Sequence, residues 1–413
     1  MLSRAISETE LDLLRAETPA WGRYAHFAHG SVSLPPQPVF DAMQRWQLLE
    51  SRQGAHRASA VVREECEQAR VVAAQLIAAK AHQIAFLDSA SRCWALALAA
   101  VCDNARRVEV IASEHEWGGS AINLLHATLR GRIGLHVLSE IDGESLLSQI
   151  RRKLAALASD SSARVVVSLP AVTMVDGSLV DLQGLSAEVR GCNGLLFVDA
   201  SHAVGQIPVS VEAVGCDALM FPARKWLRGP KGISVLYLSD RALGLLGAPP
   251  TLDTASAVWY SDSACRPRDD ALRFEVYEYH PGLRLGFAAA AGYAMQQGLD
   301  RIALRNTDVR GHLRRRLARE LDLHAVGGSP SSAFLTYRLN GEHGGAEAAS
   351  NLLARVLEDS GVNVSIVGKQ YARWAMTPRG MEKLLRLTPH YITSEAEVEQ
   401  LIVNLKDIRR LLV

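Results

Sequence analysis

An apolar run, Leu195–Val198, ends in Asp199, and the next, Asp217–Phe221, leads into a Gly- and Pro-punctuated loop that carries Lys225. Polar groups at the carboxyl ends of parallel strands face the ligand crevice of an open α/β sheet. Taken singly, Asp199 also reads as a turn cap and Lys225 as a solvated loop lysine. Together they are what pyridoxal phosphate requires: an amine to form a Schiff base, and a carboxylate to keep the pyridine nitrogen protonated so that the ring accepts carbanion charge. Lysine is scarce here. Only seven of the 45 basic residues are lysines, so chemistry that needs an amine has few candidates.

A phosphate would need its own site. The run Ile84–Leu87 is followed by Asp88-Ser89-Ala90-Ser91 and a helical pattern from Arg92. Small hydroxyl residues at a helix start aim N–H groups at an anion, although a plain N-cap has the same look. Trp117 follows the run Val108–Ala112 and could cover a cofactor ring; a core tryptophan is the competing reading. Arg386 stands in Leu385-Arg386-Leu387-Thr388-Pro389-His390, flanked by apolar residues. A bidentate grip on a substrate carboxylate explains it, and a structural ion pair is the rival explanation.

Strand-and-helix alternation would position these groups. The runs Ile84–Leu87, Val108–Ala112, Leu135–Leu138, Val165–Leu169, Leu195–Val198, Ala218–Phe221 and Ile233–Leu238 read as buried strands. Helical patterns at 92–101, 117–129, 143–158 and 182–191 separate most of them. That alternation predicts an α/β fold with a large, mostly parallel sheet of the seven-stranded type between helices. Upstream, a helix is expected over 8–20, and a longer helical stretch from Val39 to Lys80 is interrupted near Gly54. Downstream come an Ala- and Arg-rich helical stretch from Leu285 to Glu320 broken near Gly298, a strand at Phe334–Leu339, a helix at Ala346–Asp359 and a terminal helix from Ser394. The expected division is an N-terminal segment, 1–30, packing with the small domain; a large domain, 31–285; and a smaller α+β domain, 286–413.

Composition narrows the function class. The 413 residues are 48% hydrophobic, and 45 basic side chains nearly cancel 44 acidic ones. A net charge of +1 gives no electrostatic footprint for nucleic acid or an anionic membrane. The longest uncharged apolar run, Cys93–Cys102, is too short to span a bilayer, and the N-terminal residues lack a signal-peptide core. None of the six cysteines forms CxxC, so no metal site is expected and a reduced cytoplasmic enzyme is.

Taken together, FVDASHAVGQIPVSVEAVGCDAL followed by ARKWLRGPKGISVLYL, the C-terminal RLTPHYITSEAEVEQL and the N-terminal AHGSVSLPPQPV resemble the class V aminotransferase family, a branch of the fold-type-I pyridoxal-phosphate enzymes that includes cysteine desulfurases. The resemblance spans about residues 25–405 and implies pyridoxal 5′-phosphate, an amino-acid substrate and a homodimer. By the same resemblance Lys225 matches the Schiff-base lysine and Asp199 the partner of the pyridine nitrogen. His202 stands where relatives have glutamine, Ala90 and Ser91 match the phosphate loop, Trp117 the ring-stacking position and Arg386 the carboxylate-binding arginine. Thr173, before Gly177, is placed at a further cofactor contact.

The departures carry information. Pro222, Ala223 and Arg224 replace the residues usual before the lysine, so Arg224 is expected to supply the phosphate contact. The block RFEVYEYHPGLRLGF lacks the GTPN of many relatives. No cysteine lies between Gly361 and Arg386, where desulfurases carry their nucleophile. Ser263-Ala264-Cys265 imitates a desulfurase motif in the wrong part of the chain. These details resemble the subgroup containing hercynylcysteine sulfoxide lyase of ergothioneine biosynthesis and isopenicillin N epimerase-like proteins. The implied reaction is β-elimination from a cysteine S-conjugate, with an aminotransferase or amino-acid epimerase as the alternative.

Overall fold

A computed structural model describes residues 5–158, 162–339, 345–409 and 412. The chain opens with α1 (Glu8–Ala16), closed by a capping box between Ser7 and Glu10. This helix stops short of the expected residue 20 because the chain turns at Glu17 and Pro19 follows. After the short strand β1 (Ala25–His26) come α2 (Gln37–Gln53) and α3 (Ala55–Leu76), separated at Gly54, whose φ of 75° a β-carbon would strain.

The alternating part follows as expected: β2 (Ile84–Leu87), α4 (Ala90–Asn104), β3 (Arg107–Ser113), α5 (Gly118–Leu129), β4 (Gly134–Leu138), α6 (Leu146–Leu157), β5 (Ala163–Pro170), α7 (Leu185–Gly191), β6 (Leu195–Asp199), α8 (Val211–Val214), β7 (Ala218–Pro222), β8 (Ser234–Leu238) and α9 (Asp240–Leu245). The seven strands form one sheet in the order β2-β8-β7-β6-β5-β3-β4. Strand β8 alone runs against its neighbours. Apolar side chains are buried on both faces: Val165, Val167 and Val198 lie in one core, Val110, Val166 and Phe197 in the other. Two-sided burial is why these strands read as continuous apolar runs.

The hairpin of β9 (Ala257–Ser261) and β10 (Ala264–Pro267) was not expected, and it is largely exposed. Next come α10 (Pro281–Gln297) and α11 (Leu299–Leu321), broken at Gly298. The boundary expected at 286 falls inside α10, which packs against α2 and α3, whereas α11 packs on the C-terminal helix. Close packing sets two residues in α10: a β-carbon on Gly282 would come within 2.8 Å of the Trp46 ring, and one on Gly286 within 2.9 Å of Met43. The remaining elements are β11 (Leu335–Arg338), α12 (Gly345–Asp359), β12 (Val362–Asn363), β13 (Ser365–Gly368), α13 (Arg373–Met376), β14 (Lys383–Leu387) and α14 (Glu395–Ile408). A three-stranded antiparallel sheet, β11-β14-β13, carries Arg386 on its central strand. Parallel pairing of β1 with β12 ties the N-terminal segment to this C-terminal part.

The RFE segment proves to be a clamp. Buried Glu275 accepts from Arg70 on α3 at 2.6 Å, from Arg284 on α10 at 2.6 Å, and from the Phe86 N–H on β2 at 2.7 Å. One carboxylate thus joins two helices to the sheet edge. Arg284 is thereby committed to an ion pair.

Candidate active site

The carboxyl ends of β3, β5, β6 and β7 open into a cavity of about 820 Å³. It is bounded on the other side by the N-terminal loop around Ser31 and by β13 and β14. Asp199 closes β6, and one of its oxygens accepts the Ser201 N–H at 2.8 Å. A β-carbon on Gly205 would lie 2.5 Å from the Leu227 nitrogen, so glycine there lets the turn after β6 press against the lysine loop. That contact brings His202 Nε2 to 3.1 Å from Lys225 Nζ.

The protonation states of this pair follow from the geometry. The Trp226 indole N–H donates to His202 Nδ1 at 3.4 Å, which leaves the proton of a neutral imidazole on Nε2. Burial, assisted by nearby Lys225, Arg386 and Arg224, keeps the His202 ring neutral. Nε2–H therefore donates to Lys225, and only a free amine can accept. Enclosure by protein lowers the lysine to about 7, against the pull of Asp199 and with the help of Arg224 and Arg386. An uncharged amine is the form that acts as nucleophile or base.

At the other end of the cavity Ser89 caps α4, and Ala90 and Ser91 form its first turn. Ser91 Oγ accepts from the Trp117 indole at 3.2 Å. Ser234 is paired with Leu87 across the sheet edge, and its buried hydroxyl has no partner among the described residues. A helix N-terminus beside an unsatisfied hydroxyl is a ready anion site. These groups fit the phosphate of pyridoxal phosphate, as Lys225 fits its aldehyde and Asp199 its pyridine nitrogen. Residues that could hold the cofactor are thus Ser89, Ala90, Ser91, Ser234, Asp199, His202 and Lys225.

Trp117 lines the cavity, with one face stacked on Tyr371 at 5.5 Å and 7°. His115 and Tyr371 also line it, and sequence reasoning missed both. His115 lay between two glutamates, a setting that singles out an ionisable cluster. Tyr371 comes from the stretch without cysteine. Thr173 does not line the cavity; its hydroxyl bonds Asp176 and accepts the Ser178 N–H at 2.9 Å, closing a turn. Its neighbours Val172 and Met174 face the cavity instead. Cys265 is exposed on β10 and lies outside the cavity lining. No group of His, Cys, Asp or Glu able to hold a metal occurs among the described residues.

Arg386 is buried at the cavity wall. It donates to the Met174 carbonyl at 2.8 Å and to Ser31 Oγ at 2.9 Å, and its Nε has no partner among the described residues. These acceptors are neutral oxygens, not the carboxylate that a structural ion pair would supply. Burial, with Arg224 nearby, lowers its pKa to about 10. A buried cation without an anion favours binding of one. Arg386→Lys should weaken binding of an amino-acid ligand by roughly ten-fold or more, because lysine cannot reproduce the guanidinium fork. Cofactor content should survive. A titration of the holoprotein with an amino-acid analogue tests this, and loss of cofactor instead would make Arg386 a structural residue. The next candidates offer less: Arg373 is exposed and Arg284 is ion-paired.

The profile of aminotransferase class V matches residues 27–401. This chain belongs to the class V aminotransferase family. Among its class V relatives, a probable cysteine desulfurase of Pyrococcus abyssi is 26% identical over 296 residues, covering 70% of this chain and 71% of that protein. The apo structure of a cysteine desulfurase from Thermococcus onnurineus superposes with a TM-score of 0.84 at 23% identity, covering 98% of this chain and 99% of that one. The cystine C–S lyase C-DES, solved with its reaction product cysteine persulfide, superposes with a TM-score of 0.77 at 18% identity over 94% of this chain and 99% of that one. These neighbours establish the fold-type-I architecture of the class V frame. Among the described residues, no helix is long and apolar enough to cross a membrane.

Proposed function

We propose that this class V protein is a C–S lyase that splits the Cβ–S bond of a cysteine S-conjugate by β-elimination. The observation that carries the reading is a cavity equipped with a free amine and an unpaired arginine but lined by no cysteine. A desulfurase needs a thiol to take up sulfur; an elimination does not. The solved neighbour named as a cystine C–S lyase is a precedent for such cleavage on this fold.

The cofactor is pyridoxal 5′-phosphate, which supplies the electron sink for the pair left on Cα. Arg386 binds the α-carboxylate. Lys225, as free amine, takes the Cα proton, and His202 orients it through the 3.1 Å contact. Asp199 keeps the pyridine nitrogen protonated. Trp117 and His115 line the cavity and would cover a face of the ring, and Arg224 is next to the lysine in sequence. The sulfur leaves Cβ with the bonding pair and gains a proton. Overall, a thioether conjugate and water give a thiol, pyruvate and ammonium. Hercynylcysteine sulfoxide, the substrate of ergothioneine biosynthesis suggested by the subgroup resemblance, is one conjugate to test; being a sulfoxide, it would release a sulfenic acid in place of the thiol.

A homodimer belongs to the same proposal. Trp259 and Tyr260 on the β9–β10 hairpin are 73% and 65% exposed, with Tyr277 nearby in sequence also exposed. Consecutive strand residues point to opposite faces, so each face of the hairpin offers an exposed ring to a second copy. The unpaired state of all six cysteines fits a reducing compartment such as the cytoplasm.

The test is incubation of the holoprotein with a panel of cysteine S-conjugates while pyruvate is measured. Pyruvate released without an added keto acid, and unaffected by Cys265→Ala, is the expected result. Keto acid formed only with an acceptor keto acid would make the protein an aminotransferase. Inversion at Cα without pyruvate would make it an epimerase.

A further inference from the structure

We infer that the substrate carries a second acidic group on its side chain, held by Arg224, while Arg386 holds the α-carboxylate. The inference rests on the amino-acid reading of the site, and it reassigns Arg224 from the cofactor phosphate to the substrate. Both guanidiniums hang on one residue of the N-terminal loop. Arg224 Nη1 donates to the Ser31 carbonyl, and Arg386 Nη2 donates to the Ser31 hydroxyl at 2.9 Å. Ser31 Oγ is braced in turn by Ser365 Oγ at 2.8 Å.

Among the described residues, no protein anion lining the cavity is set against either guanidinium. The acidic residues lining it are Asp88 and Asp199. Asp88 is spent on Arg92 at 2.8 Å, and Asp199 is the partner for the cofactor's pyridine nitrogen. Neither faces Arg224 or Arg386 with a hydrogen bond among the described residues. Two like charges set on one serine, partly withdrawn from water, repel each other, and anionic ligands relieve that repulsion.

The donor geometry apportions the anions. An arginine has five N–H donors. Arg386 spends two on protein oxygens, and its remaining donors suffice for one carboxylate. Arg224 spends one on Ser31, which leaves a nearly complete fork for another acid. The phosphate already has the first turn of α4 and the orphaned Ser234 hydroxyl. A cavity of about 820 Å³ has room for a substrate longer than cysteine.

The probes are amino acids without a leaving group on Cβ, so that binding is read apart from any C–S cleavage. L-2-aminoadipate has a distal carboxylate, and L-norleucine is its neutral counterpart of similar length. Calorimetric titration of the holoprotein should show aminoadipate binding at least about ten-fold more tightly, the worth of a charge-assisted pair. Arg224→Gln and Arg224→Lys should each shrink that preference while the affinity of the apoprotein for pyridoxal phosphate stays within about two-fold. Equal binding of the two probes by the native protein overturns the inference without needing a variant. A loss of cofactor affinity in Arg224→Gln, with both probes weakened alike, also overturns it and returns Arg224 to the phosphate. If the preference is found but no conjugate yields pyruvate, the lyase reading fails and this one stands.

Discussion

Replacing Lys225 with alanine is expected to cut turnover by about 10²–10⁴-fold, the contribution of a positioned acid–base group, and to leave pyridoxal phosphate held without a covalent link. Borohydride reduction of the native holoprotein should fix the cofactor to Lys225 alone among the seven lysines. Peptide mapping decides this, and a label on Lys231 would refute the assignment. The lysine's acidity also has a sign that can be measured. Its pKa drops from an ordinary 10.5 to about 7 in the fold. Between those values the unfolded chain binds a proton that the folded chain does not. Stability of the cofactor-free protein from this group therefore rises with pH across that window. Relative to Lys225→Met, the native apoprotein should be less stable near pH 7, and the gap should narrow toward pH 10. Denaturant midpoints at several pH values check it; a gap independent of pH would mean that Lys225 is not held as a free amine.

Glu275→Ala should destabilise the fold by about 3–5 kcal/mol, since it strands two buried guanidiniums. Arg70 and Arg284 reach this carboxylate at 2.6 Å each, and all three side chains are nearly inaccessible. Burial alone would raise the Glu275 pKa, but Arg284 and Arg70 outweigh it and hold the carboxyl below its usual range. The pair's contribution is thus complete above the unfolded pKa of about 4.3 and is lost as pH falls through the lower folded value. The difference between Glu275→Ala and the native protein should be largest near neutrality and should shrink in acid below about pH 4. Chemical denaturation of both proteins gives the comparison, and matching midpoints at pH 7 would show that the clamp carries no stability.

The seven strands of the large sheet were legible because two-sided burial leaves an unbroken apolar run in each. The β9–β10 hairpin was not. AVWYS and ACRP are exposed, mixed in character and closed by a proline, so they carry neither period nor boundary. Strand β14 was hidden by the residue that makes it interesting: Arg386 sits inside KLLRL and reads as an anomaly, not as part of a central strand. Local signals likewise found Asp199, Lys225 and the first turn of α4. Ser31 and Ser234 could not be found that way. Ser31 matters through partners far along the chain, among them arginines 193 and 355 positions away. Ser234 looks like any strand residue until its hydroxyl proves to be without a partner. Thr173 stands out in the sequence only by its distance from Gly177, and the structure spends its hydroxyl on the turn itself.

The clasp of Ser31 by Arg386 also sets a clock on the ribosome. The two residues are 355 positions apart in the chain, and at about 5–20 residues per second the second is made roughly 20–70 s after the first. A little past the middle of that interval the sheet strands and Lys225 have been synthesised, while the wall that β13 and β14 provide does not yet exist. Arg228, three residues past the lysine, waits in the same way. It bonds the Leu34 carbonyl at 2.8 Å and the Thr18 hydroxyl early in the chain, but also the Tyr391 hydroxyl near its end. A nascent chain can therefore complete the lysine loop only after Tyr391 has been made, and until then the reactive amine is not enclosed with a substrate site.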